Sequence, residues 1–197
     1  MGSGASRVLT MDLHANQIQG FFDIPVDNLF AAPTFVQHVK KNIKSKNLVC
    51  VAPDVGGVER ARAIAKRLSA DLAIIDKRRS GPGTSEVMNV IGDVRNKICI
   101  IIDDLVDSGG TIVNATTALK NKGAKDVYAY VVHGVLTGQA VKRINNSKIK
   151  KFVISNSILN IKKIKKSKKF QVISVASLFA EAIKRISISK SVSKLFK

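Results

Sequence analysis

The segment from residue 98 to residue 119 most restricts what this chain can fold into. It begins with an apolar run, residues 98–102, typical of strands that are buried on both faces of a sheet. An acidic, glycine-containing loop follows, and then Ile112, Ala115 and Leu119 recur at helical spacing on one face. A buried strand that passes through a short loop into a helix predicts an α/β fold with a parallel sheet.

The same alternation of strand and helix runs along the rest of the chain, without internal repeats. We therefore predict a parallel, twisted sheet flanked by helices. The predicted strands are residues 8–12, 48–52, 72–75, 98–102, 127–132, 152–154 and 172–175, and the predicted helices are residues 35–43, 58–68, 111–121 and 179–186. In helix 58–68 the spacing places Arg60 on the face turned to water.

The length of 197 residues predicts one large domain, or one and a half, and the apolar content of 45% is ample for a core. No run approaches the roughly 18 uninterrupted apolar residues of a membrane helix. Residues 1–6 lack the basic and apolar regions of a secretory signal. Cys50 and Cys99 lie in apolar runs and predict two buried thiols rather than a disulfide or a zinc site. We expect a cytoplasmic protein with no membrane partner.

The net charge of +19 has two interpretations. One is attraction to nucleic acid or to an acidic membrane. The other is a solvated, lysine-rich surface on an enzyme with anionic substrates. The densest basic block, residues 162–169, has Phe170 as its single aromatic neighbour, so it lacks the interleaved aromatic side chains that stack on bases. The sequence therefore favours the second interpretation over a nucleic-acid partner.

Residues 103–111 combine carboxylates with a loop suited to phosphate. Asp103 and Asp104 stand at the carboxyl end of the predicted strand, where they can take vicinal hydroxyls, a metal, or both. The loop that follows supplies unpaired backbone N–H groups and a helix N-terminus, and both favour an anion. A phosphate beside hydroxyls describes a phosphorylated sugar.

A second loop of the same kind follows the strand at 48–52. Asp54 is followed by Gly56 and Gly57, whose lack of a side chain lets the backbone approach a ligand closely. A tight connection between strand and helix explains these glycines about as well. Two such loops on consecutive parallel strands favour a binding site, because ligands collect at the carboxyl ends of such strands.

Cations follow the strand at 72–75. Lys77, Arg78 and Arg79 enter a glycine- and proline-containing loop at 80–85, whose composition predicts a segment able to close. Cations over phosphates stabilise the charge that develops during phosphoryl transfer. A run of charge is usually a solvated surface, but its position at the same sheet edge favours a functional interpretation. His14 has no such support, because a lone histidine is more often structural.

Several motifs together resemble the ribose-phosphate pyrophosphokinase family, the phosphoribosyl pyrophosphate synthetases. The resemblance covers nearly the whole chain from Arg7. The motifs are TMDLHA at 10–15, QIQGFFDIPVD at 17–27, APDVGGV at 52–58, DKRR at 76–79, DDLVDSGGT at 103–111, RINN at 143–146 and SVSKLF at 191–196.

The resemblance implies a phosphoribosyltransferase-like (type I) domain that converts ribose 5-phosphate and ATP to phosphoribosyl pyrophosphate and AMP with Mg²⁺. In that reaction the anomeric hydroxyl attacks the β-phosphorus, and a pyrophosphoryl group moves as a unit. The implied ribose 5-phosphate site is Asp103, Asp104, Asp107, Ser108, Gly109, Gly110 and Thr111. The implied pyrophosphate loop is Asp54, Gly56 and Gly57; the implied metal ligands are His14, Asp54 and Asp12; the implied catalytic residues are Lys77 and Arg79.

The resemblance also divides the chain into three parts. Residues 1–32 match the end of the family's N-terminal domain, residues 33–188 match its C-terminal domain, and residues 189–197 match a tail that packs on the N-terminal domain. We expect most of the N-terminal domain to be missing, including the segments that hold the adenine of ATP. Lys194 stands where the family tends to have an aromatic residue.

Two functions stay open on this basis. The first is a ribose-phosphate diphosphokinase, active as a homo-oligomer or with a complementing N-terminal half. The second is a non-catalytic subunit that binds sugar phosphate or regulates such an enzyme. An RNA-binding regulator on the same fold is a remote third, suggested by the charge alone.

Overall fold

The fold is that of a computed structural model, which describes Gly2 and residues 4–78, 87–159 and 161–196. The strands are β1 (Val8–Met11), β2 (Val26–Leu29), β3 (Leu48–Ala52), β4 (Asp71–Arg78), β5 (Val87–Ile91), β6 (Ile98–Val106), β7 (Asp126–Gly134), β8 (Lys151–Ser155) and β9 (Phe170–Ile173). The α-helices are α1 (Ala32–Asn42), α2 (Val58–Leu68), α3 (Gly110–Asn121), α4 (Ala140–Asn146), α5 (Ile161–Ile164) and α6 (Ala176–Ser187). Short 3₁₀ helices lie at Asn16–Phe21 and Ser193–Phe196.

Strands β3 to β9 form one sheet in the order β5–β4–β3–β6–β7–β8–β9. All neighbouring pairs are parallel except β4 with β5. The chain enters this sheet at β3, moves outward to β4 and β5, and then crosses back to add β6 on the other side of β3. The direction of winding therefore reverses between β3 and β6, which is where open parallel sheets form a ligand crevice at their carboxyl edge.

Side chains of the central strands alternate between two cores, one on each face of the sheet. Val49 and Ile101 pack with α3 and α4, whereas Cys50 and Ile100 pack with α1, α2 and α6. Because helices cover both faces, all five residues of β3 are buried, as its unbroken apolar sequence predicts. Burial raises the pKa of the free Cys50 thiol to about 12.

Strands β1 and β2 form a separate parallel pair that is tied to the main sheet near the end of β7. The His133 Nε2 atom lies 3.0 Å from the Met11 carbonyl oxygen. The Asp12 carboxylate accepts the N–H of Ala31 at 2.7 Å. These contacts bring Asp12 and His14 to the carboxyl edge of the main sheet.

The last described residues return to the same region. The Phe196 ring packs edge-on against Phe30 with centroids 5.6 Å apart, and Arg67 donates a hydrogen bond to the Phe196 carbonyl at 2.5 Å. The division at residues 32 and 188 stays a prediction.

The predicted α/β architecture is confirmed, with some elements longer than expected. The strand predicted at 98–102 continues to Val106, so Asp103 pairs with Val131 inside the sheet instead of following the strand. The sequence patterns miss β2, β5, α4 and α5, which are short. The loop predicted at 80–85 lies outside the described residues. Among the helices of the described chain, none combines the length and the apolar character needed to span a membrane.

Candidate active site

The reversal between β3 and β6 brings the two predicted loops together. Asp54 follows β3, and Asp103 lies near the carboxyl end of its parallel neighbour β6. Burial raises the pKa of Asp103, and the negative charge of Asp54 adds to that effect. The topology therefore places the sugar-phosphate and pyrophosphate segments at one crevice.

The loop after β6 has an open helix N-terminus. Helix α3 begins at Gly110 and has no side-chain cap at Gly109. The first hydrogen bond within this turn runs from the Val113 N–H to the Gly109 carbonyl, so the N–H groups of Gly110, Thr111 and Ile112 precede the helical ladder. Three amides at the positive end of a helix form a suitable phosphate cradle.

The segment after β7 fixes the shape of this loop. The Thr137 hydroxyl donates to Asp107 Oδ1 at 2.6 Å, and the Thr137 N–H donates to the Asp107 carbonyl at 3.1 Å. Arg143, on α4, donates to the Ser108 carbonyl at 2.6 Å. Asp107 and Ser108 are therefore held through their own oxygens, while the amides of the next residues stay available.

Gly109 is the position in this loop that requires glycine. Its φ is +75°, and a Cβ atom there would lie 3.2 Å from Ile144 Cδ1. The left-handed backbone alone costs other residues roughly 1–2 kcal/mol.

We expect Gly109→Ala to lower the free energy of unfolding by about 1–2 kcal/mol, because it adds this strain and the contact with Ile144. Urea unfolding measures the loss. The control is Gly20→Ala, since a Cβ atom at Gly20 meets no atom within 4 Å. Equal losses in the two variants would contradict this explanation.

The loop after β3 is compact around Asp54. Asp54 Oδ1 accepts the Gly57 N–H at 2.9 Å, and a Cβ atom on Gly56 would lie 3.4 Å from the same oxygen. Asp54 and Gly56 are exposed at the crevice, whereas Gly57 is buried at the start of α2, against Pro53 and Asp54. Gly57 therefore has a local packing reason for its small size, and Gly56 leaves its backbone open to a ligand.

An acidic cluster surrounds one guanidinium at the centre of the site. Arg60 Nη2 lies 3.0 Å from Asp104 Oδ2, Arg60 Nε lies 3.7 Å from Asp12 Oδ1, and Arg60 Nη1 lies 3.9 Å from Asp103 Oδ1. The Arg60 side chain is only 22% exposed. The prediction that Arg60 faces water is therefore wrong, since periodicity within one helix carries no information about carboxylates that arrive from other strands.

The three carboxylates of this cluster have different environments. Burial, together with the charge of Asp104, raises the pKa of Asp103 to about 7. Burial also acts to raise the pKa of Asp104, but the Arg60 guanidinium and the hydrogen bond to His14 outweigh it and hold that pKa below its ordinary value. The pKa of Asp12 is raised by burial, despite its hydrogen bond from Ala31.

His14 projects from this cluster toward solvent. Its Nδ1 atom lies 3.0 Å from Asp104 Oδ2, and its side chain is 82% exposed. The arrangement leaves the other ring nitrogen, Nε2, on the exposed side of the ring.

The predicted metal ligands do not form a preorganised cage. In residues 4–78, 87–159 and 161–196, no three His, Cys, Asp or Glu side chains converge into a group that could hold a metal ion. Magnesium is usually held by one or two carboxylates together with substrate phosphates. The exposed carboxylate of Asp54 fits that role, and the assignment of His14 as a ligand stays a prediction. Asp12 is buried and engaged by Ala31 and Arg60, which favours a structural role for it, and its assignment as a ligand stays a prediction.

Lys77 lies in β4, at the carboxyl edge that carries Asp54, and it is exposed. Arg79, the second predicted catalytic residue, lies outside the described residues. The catalytic assignment of both stays a prediction.

A cavity of about 360 Å³ adjoins the cluster. Asp12, His14 and Arg60 line its polar end, and Phe30, Phe35 and Phe196 line its apolar end. The cavity lies between the β1–β2 pair, α2 and the 3₁₀ helix at Ser193–Phe196.

The sequence patterns missed four residues that support the site. Arg60 binds Asp104, His133 contacts Met11, and Thr137 and Arg143 hold the loop after β6. The RINN motif contains Arg143 and could have indicated it. The other three carry no local signal, because their partners are 30 or more residues away in the chain.

Comparisons with known proteins agree with this geometry. Residues 82–197 match the phosphoribosyl synthetase-associated domain. The ribose-phosphate pyrophosphokinase of Brucella melitensis is 58% identical over 194 residues, which cover 98% of this chain and 63% of that protein. The ribose-phosphate pyrophosphokinase of Bradyrhizobium diazoefficiens is 56% identical over 194 residues, covering 98% of this chain and 61% of that protein.

A solved structure gives the same result for the fold. The crystal structure of phosphoribosylpyrophosphate synthetase from Mycobacterium smegmatis matches with a TM-score of 0.86 and 36% identity, over 95% of this chain and 61% of that chain. The chain thus spans about three fifths of the length of these relatives.

Proposed function

We propose a function from one premise: the chain belongs to the ribose-phosphate pyrophosphokinase family. The function is transfer of a pyrophosphoryl group from ATP to the anomeric hydroxyl of ribose 5-phosphate. The new bond joins the anomeric oxygen to the β-phosphorus, the bond between the α- and β-phosphates breaks, AMP leaves, and the hydroxyl proton is released. The observation that carries the proposal is the meeting of two phosphate-type loops at the reversal between β3 and β6.

The sugar-phosphate half of the site is assigned to the segment after β6. The amides of Gly110 and Thr111 receive the 5-phosphate, in a loop that Thr137 and Arg143 hold through Asp107 and Ser108. Asp103, whose side chain remains 17% exposed, accepts hydrogen bonds from ribose hydroxyls when it is ionised. This arrangement orients the anomeric hydroxyl toward the loop that carries Asp54.

The pyrophosphate half is assigned to the loop after β3. The open backbone at Gly56 approaches the ATP phosphates, and Asp54 and His14 hold Mg²⁺. When bound, Mg²⁺ neutralises charge on the phosphate oxygens. Lys77, on the neighbouring strand, is proposed to meet the negative charge that develops as the pyrophosphoryl group moves.

The proposal also includes a second polypeptide that contributes the adenine contacts of the ATP site. The family resemblance places the adenine contacts in a domain that residues 1–32 match only at its end. We propose that a complementing N-terminal half, or another copy of a longer form in a homo-oligomer, supplies those contacts. Steady-state AMP formation, with and without an added N-terminal half from a relative, separates an enzyme from a non-catalytic sugar-phosphate-binding subunit. AMP formed only by the mixture supports the proposal, whereas inactivity of both with intact ribose 5-phosphate binding favours the second function.

Thr111→Val is expected to weaken ribose 5-phosphate binding by at least about tenfold, since it removes a hydroxyl that can donate to the charged phosphate. Calorimetric titration measures the affinity. Valine keeps the shape of threonine, so the packing of the first turn is retained.

The matched control is Thr117→Val on the same helix. The Thr117 hydroxyl bonds to the Val113 carbonyl, away from the N-terminus of α3. The affinity of Thr117→Val for ribose 5-phosphate should stay within about twofold of the wild-type value, because an exposed change far from the site alters local energies by only a few tenths of a kcal/mol. Equal weakening in both variants would argue against a phosphate at this helix end.

A further inference from the structure

We propose that Asp104 is a positioning residue for His14, and that Arg60 anchors Asp104 in this role. The inference rests on the proposed function for the identity of the phosphate ligand. It replaces the implied assignment of Asp104 to the ribose hydroxyls, and it gives a reason for two adjacent carboxylates in one strand.

The geometry is a three-residue relay, in which Asp104 links the half-buried guanidinium of Arg60 to the exposed ring of His14. Asp104 Oδ2 lies 3.0 Å from Arg60 Nη2 and 3.0 Å from His14 Nδ1. The Asp104 side chain is 5% exposed, whereas the His14 side chain is 82% exposed. A buried, anchored carboxylate therefore fixes the orientation of an imidazole that packing alone would leave free to rotate.

Strand alternation separates the tasks of the two carboxylates. Successive side chains of a strand point to opposite faces, and Ile100 and Ile102 face α2. Asp104 follows that register toward Arg60, on α2. Asp103 has the opposite register, lies farther from Arg60 at 3.9 Å and stays more exposed, so Asp103 is the better placed of the two for the sugar.

The relay also decides which ring nitrogen of His14 carries the proton. An ionised carboxylate can only accept hydrogen bonds, and Asp104 Oδ2 already accepts one from Arg60. His14 Nδ1 must therefore donate, and the lone pair of Nε2 faces solvent. In this state His14 offers an acceptor to a cation or to a cation-bound water, and it has no hydrogen to donate to a phosphate oxygen. Such a carboxylate behind a histidine is a common device for orienting a metal ligand.

Nitrogen-15 NMR of the full chain without added metal tests the relay, at a pH where the imidazole is neutral. We expect the Nδ1–H tautomer of His14 to predominate in the wild type. Asp104→Ala should shift the ratio of tautomers toward Nε2–H by roughly tenfold, because a hydrogen bond to a charged group is lost. Asp104→Asn should keep Nδ1–H as the major form, since Arg60 holds the amide oxygen at the Oδ2 position.

The control is Glu59→Gln, which removes an exposed carboxylate next to Arg60 in the sequence and should leave the tautomer ratio unchanged. A wild-type spectrum dominated by Nε2–H would overturn the proposal even if Asp104→Ala fails to fold, and so would an unchanged ratio in a folded Asp104→Ala. Titration with ribose 5-phosphate is a separate measurement. Loss of sugar-phosphate binding with an intact Nδ1–H tautomer would refute the proposed function and leave the relay standing.

Discussion

Replacing Arg60 with methionine is expected to lower the free energy of unfolding by about 3–5 kcal/mol at pH 7, because it leaves buried carboxylates without their cation. The side chains of Asp12 and Asp104 are 3% and 5% exposed, so water cannot take over the role of the guanidinium. Methionine keeps much of the apolar stem and isolates the loss of charge. Equilibrium unfolding in urea measures the effect.

The loss should depend on pH in a defined direction. Arg60 lowers the pKa of Asp104 in the folded state, so this pair stabilises the fold above the ordinary aspartate pKa of about 3.9 and loses its contribution as the pH falls. The difference between wild type and Arg60→Met should therefore shrink when unfolding is repeated at about pH 2.5, below the ordinary aspartate pKa. Arg62→Met, an exposed change on the same helix, should cost no more than about 0.5 kcal/mol at either pH. A pH-independent loss would show that Arg60 acts through packing instead of charge.

The affinity for ribose 5-phosphate is expected to fall by up to about 100-fold between pH 8 and pH 5, because each pH unit below a pKa removes about nine tenths of the ionised form. The group responsible is Asp103. Burial and the charge of Asp104 raise the pKa of this carboxyl to about 7. A protonated Asp103 loses half of its capacity to accept hydrogen bonds from hydroxyls. Calorimetric titration across this range measures the dependence.

Asp103→Asn separates this effect from titration of the ligand. The phosphate of the sugar has its own second pKa of about 6, so some pH dependence will persist in the variant. The variant should bind weakly at every pH and show only that residual dependence. If Asp103→Asn kept the full pH dependence of the affinity, titration of the phosphate, and not of Asp103, would be its cause.

The same raised pKa has the opposite effect on stability from that of Asp104. The folded state binds the Asp103 proton more tightly than the unfolded state, so the stabilising contribution is complete below the unfolded pKa of about 3.9. It is lost as the pH rises through about 7. A site that needs this carboxylate ionised therefore works at some cost in stability.

The sequence predicts the parts of the site that are continuous in the chain. The apolar run at 98–102, the glycines after it and the helical spacing of Ile112 and Ala115 specify a strand, a loop and a helix in order. That order correctly predicts a parallel sheet and a helix N-terminus at this loop, which the structure places at Gly110, one residue before the predicted start. Glycines and apolar periodicity depend on local backbone geometry, so the strand, the loop and the helix can be predicted from neighbouring residues alone.

Contacts between distant segments cannot be predicted from neighbouring residues. Arg60 belongs to a helix whose other basic residues, such as Arg62 and Lys66, are exposed, and nothing in its neighbours distinguishes it. Its partners lie 48 and 44 residues away, at Asp12 and Asp104. The strand predicted at 98–102 is longer in the structure for a related reason. Its polar last residues stay in the sheet because pairing with β7 supplies their backbone hydrogen bonds.

The central position of β3 has a consequence for the growing polypeptide on the ribosome. β3 is made before both of its sheet neighbours, yet it takes β4 on one side and β6 on the other. Until β6 emerges, some fifty residues later in the sequence, one hydrogen-bonding edge of a wholly apolar strand stays open. Such edges invite pairing with other nascent chains. The same winding that creates the crevice thus makes the interval between the synthesis of β3 and that of β6 one in which mispairing with another nascent chain is favoured.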